Sequence, residues 1–476
     1  MAIVGAFAVP HPPLIIPEVG RGKEKGIADT INSYEKVSEM IAEMKPETIV
    51  IITPHSVMYS DYFHISPGDS AMGSFAHFGA PEVGINAEYD TAFVKKLCVL
   101  CAENEVDAGV GGQKDPTLDH GTLIPLYFIT KRYTDFNLVR IGISGLEPEE
   151  HYRLGMMIKR AAQELNRRVV CIASGDLSHK LTHDGPYGFC PDAAPYDNEV
   201  MNVLEKAEFG ALMEFNELRL EKVAVCGHRA FIVMGGALDG VNVKAKRLSY
   251  EGPFGVGYGV VTFKPEEDSD IEGRHFLALR IKKENERRAK QREREDIIVR
   301  LARKTLETYI REGRIVDYEE ELKSIVDDDK REEDLINLMK NSAAGAFVSL
   351  HKNGRLRGCI GTIMPTKERL AEEIVENAIA AGTRDPRFDP VTVGELDELD
   401  YSVDVLGDIE ENISEGELDV DRYGVIVTKG FKRGLLLPRL ETIDTVKEQI
   451  SVAKKKAGIG ENEEVNLSRF EVVRHK

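Results

Sequence analysis

Four short runs in the first half of the chain are apolar and β-branched almost throughout: AIVGAFAV from residue 2, TIVIIT from residue 48, LVRIGIS from residue 138 and RVVCIAS from residue 168. Continuous runs of this kind predict strands buried on both faces of a sheet. Between the first two, Ile27, Ile31, Tyr34, Val37 and Ile41 share one face of a helix, which Lys45-Pro46 ends because a residue before proline is driven out of helical conformation. Strands alternating with helices predict an α/β domain with a mostly parallel sheet flanked by helices.

This pattern closes with KAKRLSYEGPFGVGYGVVTFKP, a glycine-rich pair of strand-like runs, followed by the acidic EEDSDIEG. The reading is therefore a first domain over 1–265 and a charged linker or helix over 266–293, where KKENERRAKQRERED presents a solvated face. A second domain follows over 294–476. There Ile298, Leu301, Thr305 and Tyr309 form a helical stripe, and Asn353-Gly354 separates two strand-like runs as a two-residue hairpin turn. With YSVDVLG and YGVIVTKGFKRGLLLP as further strands, and helices near 294–312, 366–382 and 443–457, this half reads as α+β.

Length supports the division, since single cores rarely extend beyond about 250 to 300 residues. The formal net charge of -19 repels phosphate backbones and anionic membranes, so neither is expected as a partner. The N-terminal apolar run lacks a preceding basic segment and resembles a strand rather than a signal peptide, and no stretch is long enough to span a bilayer. Six irregularly spaced cysteines predict no disulfide framework, which fits a cytoplasmic protein. Cys98 and Cys101 lie in DTAFVKKLCVLCAEN at the spacing of a core helix rather than of a zinc site. Gly255, Gly257 and Gly259 lead into a strand, whereas a dinucleotide fingerprint opens a helix.

Candidate chemistry lies at the strand ends. AIVGAFAVPH and TIVIITPH deliver His11 and His55 just past their strands, and RVVCIAS runs into GDLSH, which carries Asp176 and His179 to the same edge. Ligands bind beyond the carboxyl ends of parallel strands. His120, in PTLDHGTLIPLYF, occupies a polar turn before an apolar segment. Four imidazoles gathered without charge partners point to a transition-metal site.

The motifs PHPPLI, TPHS, LDHG, GDLSH and VCGHRAF together resemble the class III extradiol ring-cleavage dioxygenases of the LigB type, and more closely their Memo-like relatives. The resemblance implies His11 and His55 as ligands of Fe(II), His120 and His179 as acid/base and oxygen-orienting groups, and a catechol-like substrate. Where the dioxygenases supply a glutamate ligand, this sequence has Cys226, as Memo-like proteins do. A His₂Cys set suits iron but also zinc or copper. Cys226 as a buried small residue, and His228 as a substitute ligand, are the alternatives. Asp176 is either the cap of a turn, an acceptor orienting an imidazole, or a member of the reacting set.

In the second half, LRGCIGT, GTRDPRFDPV and YGVIVTKGFKRGLLLP resemble the AMMECR family, which brings no assigned reaction. Cys359 there is a structural or ligand-binding residue, and a nucleophilic role would rest on His351 as the local base. The whole arrangement resembles the AmmeMemoRadiSam system proteins, which implies a separate radical-SAM enzyme as a partner, since this chain has no CxxxCxxC run. Three functions follow: an Fe(II) oxygenase-type enzyme, a zinc hydrolase, or a non-enzymatic metal-binding assembly module.

Overall fold

The computed structural model describes residues 2–266, 270–325, 330–352, 354–439 and 443–476. They form two units, Met1–Lys282 and Lys283–Lys476. The division falls inside the helix Phe276–Arg292, in the charged stretch.

The first unit is built on strands β1 (Ile3–Val9), β2 (Thr48–Thr53), β3 (Asn137–Gly142), β4 (Val169–Ser174), β5 (Val243–Glu251) and β6 (Tyr258–Pro265). Their order in the sheet is β3-β2-β4-β1-β6-β5. The first four run parallel and the last two pair antiparallel, so the mixed α/β reading holds with an antiparallel edge. Alternation along each strand sends successive residues to opposite cores. Ala6, Ala8, Val50, Ile52, Cys171 and Ala173 enter one cluster with the helices Pro148–Glu164 and His228–Ala237. Phe7, Val9, Ile49, Ile51, Val170 and Ile172 enter the other with Ala28–Met44 and His120–Ile129. Two-sided burial is why these strands are apolar at nearly every position.

The helix Ala28–Met44 carries the predicted stripe and ends at Lys45, whose φ of 47° is left-handed. Thr91–Glu103 is a helix with Leu97, Leu100 and Cys101 buried, as expected of a core segment. The hairpin Ser70–Phe75 with Ala80–Glu88 has no counterpart in the sequence reading, because its strands are largely exposed.

In the second unit, strands β7 (Ala346–Lys352), β8 (Arg355–Gly361), β9 (Leu399–Leu406), β10 (Glu410–Ile413), β11 (Tyr423–Lys429), β12 (Lys432–Leu436) and β13 (Asn466–His475) form one antiparallel sheet. The order is β8-β7-β9-β13-β11-β12, with β10 on β13. Helices Ile297–Glu312 and Leu370–Thr383 cover one face. The predicted hairpin is β7–β8, although Asn353 of its turn lies outside the described residues. Helices Tyr318–Ile325 and Lys330–Asn341 and strands β10 and β13 go beyond the sequence reading. The two helices are dominated by charge, and β13 alternates weakly.

Candidate metal centre

The strand order decides the site. β2 and β1 flank β4, so the three carboxyl ends that carry His55, His11 and Asp176 are neighbours. His11 Nε2 lies 3.0 Å from His55 Nε2 and 3.5 Å from Cys226 Sγ. The ligand atoms of His11, His55 and Cys226 all fall within 4.8 Å of one another.

A hydrogen-bond chain fixes the tautomer of His11. The Ser174 hydroxyl, at the end of β4, donates to Gly121 O at 2.5 Å, which leaves its oxygen free to accept from His11 Nδ1 at 3.0 Å. Nδ1 therefore holds the proton, and the Nε2 lone pair faces the centre. His55 is anchored by its backbone N–H on Thr53 Oγ1, which in turn donates to Asp119 Oδ1 at 2.8 Å.

Asp119 is the N-cap of the helix His120–Ile129 and accepts from Thr122. His120 is thus the first helical residue rather than part of a turn. Its ring centroid is 4.0 Å from that of His55 and 5.3 Å from that of His11. Behind this cap lies the fully buried Arg140, which donates to Asp115 O and Thr117 O and sits 3.7 Å from Asp119. His179 is held by its backbone N–H on Val223 O, with Tyr187 edge-on to its ring at 5.1 Å.

Cys226 arrives through a close backbone approach. A Cβ on Gly175 would fall 2.1 Å from the Gly227 Cα, so the GDLSH and VCGHRAF segments can touch only where both residues are glycine. The contact places Cys226 Sγ as acceptor of the Asp176 backbone N–H at 3.3 Å.

Burial, followed by the other imidazoles, drives the His11 pKa well below its ordinary value. Desolvation and then His120 push His55, exposed at the mouth, down to about 4. Desolvation also lowers His120 and His179. All four shifts favour the neutral imidazole, the form whose lone pair a cation can take. Burial raises the Cys226 thiol well above its usual range, with the nearby Asp176 adding to it. Burial raises Asp176 to about 7, partly offset by the His11 N–H. Two imidazole nitrogens 3.0 Å apart, beside a thiol raised by burial, suit a bound cation, which would take both nitrogens and the sulfur.

The structure sorts the remaining candidates. Asp176 accepts from the His11 backbone N–H at 2.7 Å and so fastens the main chain of a candidate ligand rather than orienting its ring. His228 is turned into the core, between Tyr196 OH at 3.0 Å and Leu212 O at 2.8 Å, so both its nitrogens are engaged and it does not join the group. Ser174 and Asp119 join the site beyond the residues the sequence points to. Their positions, as the last strand residue before GDLSH and the cap before an apolar helix, carry the signal.

A family model described as the catalytic LigB subunit of aromatic ring-opening dioxygenase matches residues 5–261, and one described as AMMECR1 matches residues 299–475. A protein of Clostridium acetobutylicum is 41% identical over 485 residues, covering 100% of both chains. A protein of Thermotoga maritima is 48% identical over 180 residues, 37% of this chain and 96% of its own length. Among solved structures, an uncharacterized protein from Pyrococcus horikoshii is 29% identical, covers 38% of this chain and 90% of its own, and has a TM-score of 0.32. An uncharacterized protein from Escherichia coli K12 is 16% identical, with coverage of 54% and 99% and a TM-score of 0.36.

Proposed function

Because this chain belongs to the family of the catalytic LigB subunit of aromatic ring-opening dioxygenase, with an AMMECR1 domain behind it, we propose that its first unit is a metal-dependent, oxygenase-type enzyme. It would hold non-haem Fe(II) through His11, His55 and Cys226 and act on a catechol-like small molecule. The observation that carries this reading is the convergence of two Nε2 atoms and one thiol within 4.8 Å, beside two further neutral histidines.

Iron bound there would supply Lewis acidity and one-electron chemistry toward O₂. The chain's residues do the rest. Ser174 keeps His11 in the tautomer that presents Nε2, and Asp176 holds its backbone. His179 and His120, lowered in pKa and uncharged, are able to take a proton from an acidic phenol. Tyr187 and Phe78, each edge-on to one of these histidines, offer aromatic walls.

The cysteine in place of a carboxylate favours a second reading, in which zinc takes the same three ligands and activates water. A radical-SAM enzyme as the associate of the fused pair belongs to the proposal as well. Elemental analysis of native protein beside Cys226→Ala separates the metals. Anaerobically prepared protein loaded with Fe(II) is expected to consume O₂ with a catechol, and His179→Ala to lose turnover while retaining iron. Iron held firmly with no turnover across a broad catechol panel would falsify the oxygenase reading.

A further inference from the structure

Strand β3 carries none of the residues gathered at the centre, yet the largest fully buried side chain among the described residues stands on it, and it is an arginine. Register sets Arg140 beside Ile51, and Ile51 beside Ile172 and Phe7, so the guanidinium enters the apolar core on that face of the sheet. A charge in this position is costly to bury. For stability alone, an apolar side chain of similar volume serves as well or better.

The contacts show what the charge holds. Nε donates to Ser66 Oγ at 2.7 Å, Nη1 to Thr117 O at 2.6 Å and Nη2 to Asp115 O at 2.5 Å. The carboxylate of Asp119 lies 3.7 Å from Nη1. Three of these four partners belong to 115–119, the segment that leads into His120. Its other edge rests on the exposed hairpin, where Met72 N–H donates to Pro116 O at 3.1 Å and Met72 O accepts from Leu118 N–H at 2.9 Å. Arg140 is therefore the grip on the buried side.

From this segment, bonds run to three of the four histidines. Asp119 accepts from Thr53 Oγ1, which accepts from the His55 backbone N–H. Gly121 O accepts from the Ser174 hydroxyl, which accepts from His11 Nδ1. His120 starts the helix between these two anchors. A Cβ on Gly121 would fall 2.4 Å from Thr53 Oγ1, so the segment lies against β2 without slack. We propose that Arg140 is the positioning residue of the centre: its fork fixes residues 115–121, and through them the approach of His55, His11 and His120 to one another. The inference rests on the reading of His11, His55 and Cys226 as metal ligands, and on no particular reaction.

Co(II) binding to the full chain after metal removal tests this without turnover. Affinity is read by competition with a chelator, and ligand geometry by the d–d absorption and the sulfur-to-cobalt charge-transfer band. Arg140→Met fills the apolar site, while Arg140→Lys keeps the charge and loses the planar fork. Both are expected to bind Co(II) about 10-fold more weakly, the lower end for partners outside the ligand set, with an altered d–d spectrum. The metal-free unfolding transition of Arg140→Met should stay near that of the parent. Because Arg140 acts through Asp119 and Thr53, adding Thr53→Val should weaken binding little further. An arginine that only stabilises the fold would lower the metal-free transition, leave the spectrum intact and add independently to Thr53→Val. Ser66→Ala removes a single acceptor of the fork and should shift affinity the same way by less, which keeps the test open if Arg140→Met misfolds. Parent-like affinity and spectrum in these variants, where the parent binds Co(II), overturn the inference alone. A parent without the charge-transfer band overturns the ligand reading beneath it.

Discussion

A metal ligand is only as good as the lone pair it presents, and in His11, the proposed ligand, that lone pair is set by one hydroxyl. Ser174→Ala removes the acceptor for Nδ1–H without touching a ligand. Outer partners of this kind are worth about 10–100-fold in metal affinity, and a loss in that range by competition with a chelator is the expected result. Unchanged affinity would mean that the ring is oriented by packing alone. That His11 and His55 meet was legible because each follows a strand end, whereas Cys226 was reached through the resemblance carried by VCGHRAF. Ser174 and the backbone grip of Asp176 were not, because a hydrogen bond across strands appears only once β4 lies beside β1. A second buried acid shows the same limit. Asp197, fully buried, accepts from the Ser178 N–H and Tyr250 OH, and desolvation raises it to about 6 from 3.8. A raised carboxyl pKa favours the protonated fold, so this contribution is complete below about pH 4 and lost as pH climbs through 6. The loss amounts to about 3 kcal/mol. Asp197→Asn keeps an acceptor for Ser178 and can donate to Tyr250, so the variant should match the parent in urea midpoint at pH 4 and exceed it at pH 7.

Elements were easiest to read where burial is two-sided. β1, β2 and β4 are apolar through their middles because each position there has a core to enter, and their boundaries lie within a residue or two of the sequence reading. The exposed hairpin Ser70–Phe75 with Ala80–Glu88, and the charged helices of the second unit, lack that pressure and leave a faint pattern. The join between GDLSH and VCGHRAF is faint for another reason: its signal is the absence of two side chains. A Cβ at Gly227 would fall 2.8 Å from the Gly175 Cα and from the Phe231 ring. Gly227→Ala must therefore open the join, and overpacking of this kind costs about 1–3 kcal/mol. Because Cys226 is the adjacent residue, the variant should lose metal more than it loses stability. A thermal melt together with metal content after desalting distinguishes the two, and a variant that melts early yet keeps its metal would refute the coupling.

Among the described residues, each unit has hydrophobic clusters of its own, two on the faces of the first sheet and three in the second unit. Separate cores predict separate unfolding transitions, so a single melting temperature should not describe this chain. The proposed ion belongs to one unit alone, which turns chelation into a label. A ligand present at about 100 times its Kd stabilises the state that binds it by about 2.7 kcal/mol, and a unit of this size shifts by about 2–4 °C per kcal/mol. Stripping the metal should therefore lower one calorimetric transition by roughly 5–10 °C and leave the other in place. Cys226→Ala should show the lowered transition from the outset and no further response to chelator. If both transitions fell together, the metal would be sensed across the division at Lys282, and the two units would have to be treated as one thermodynamic body.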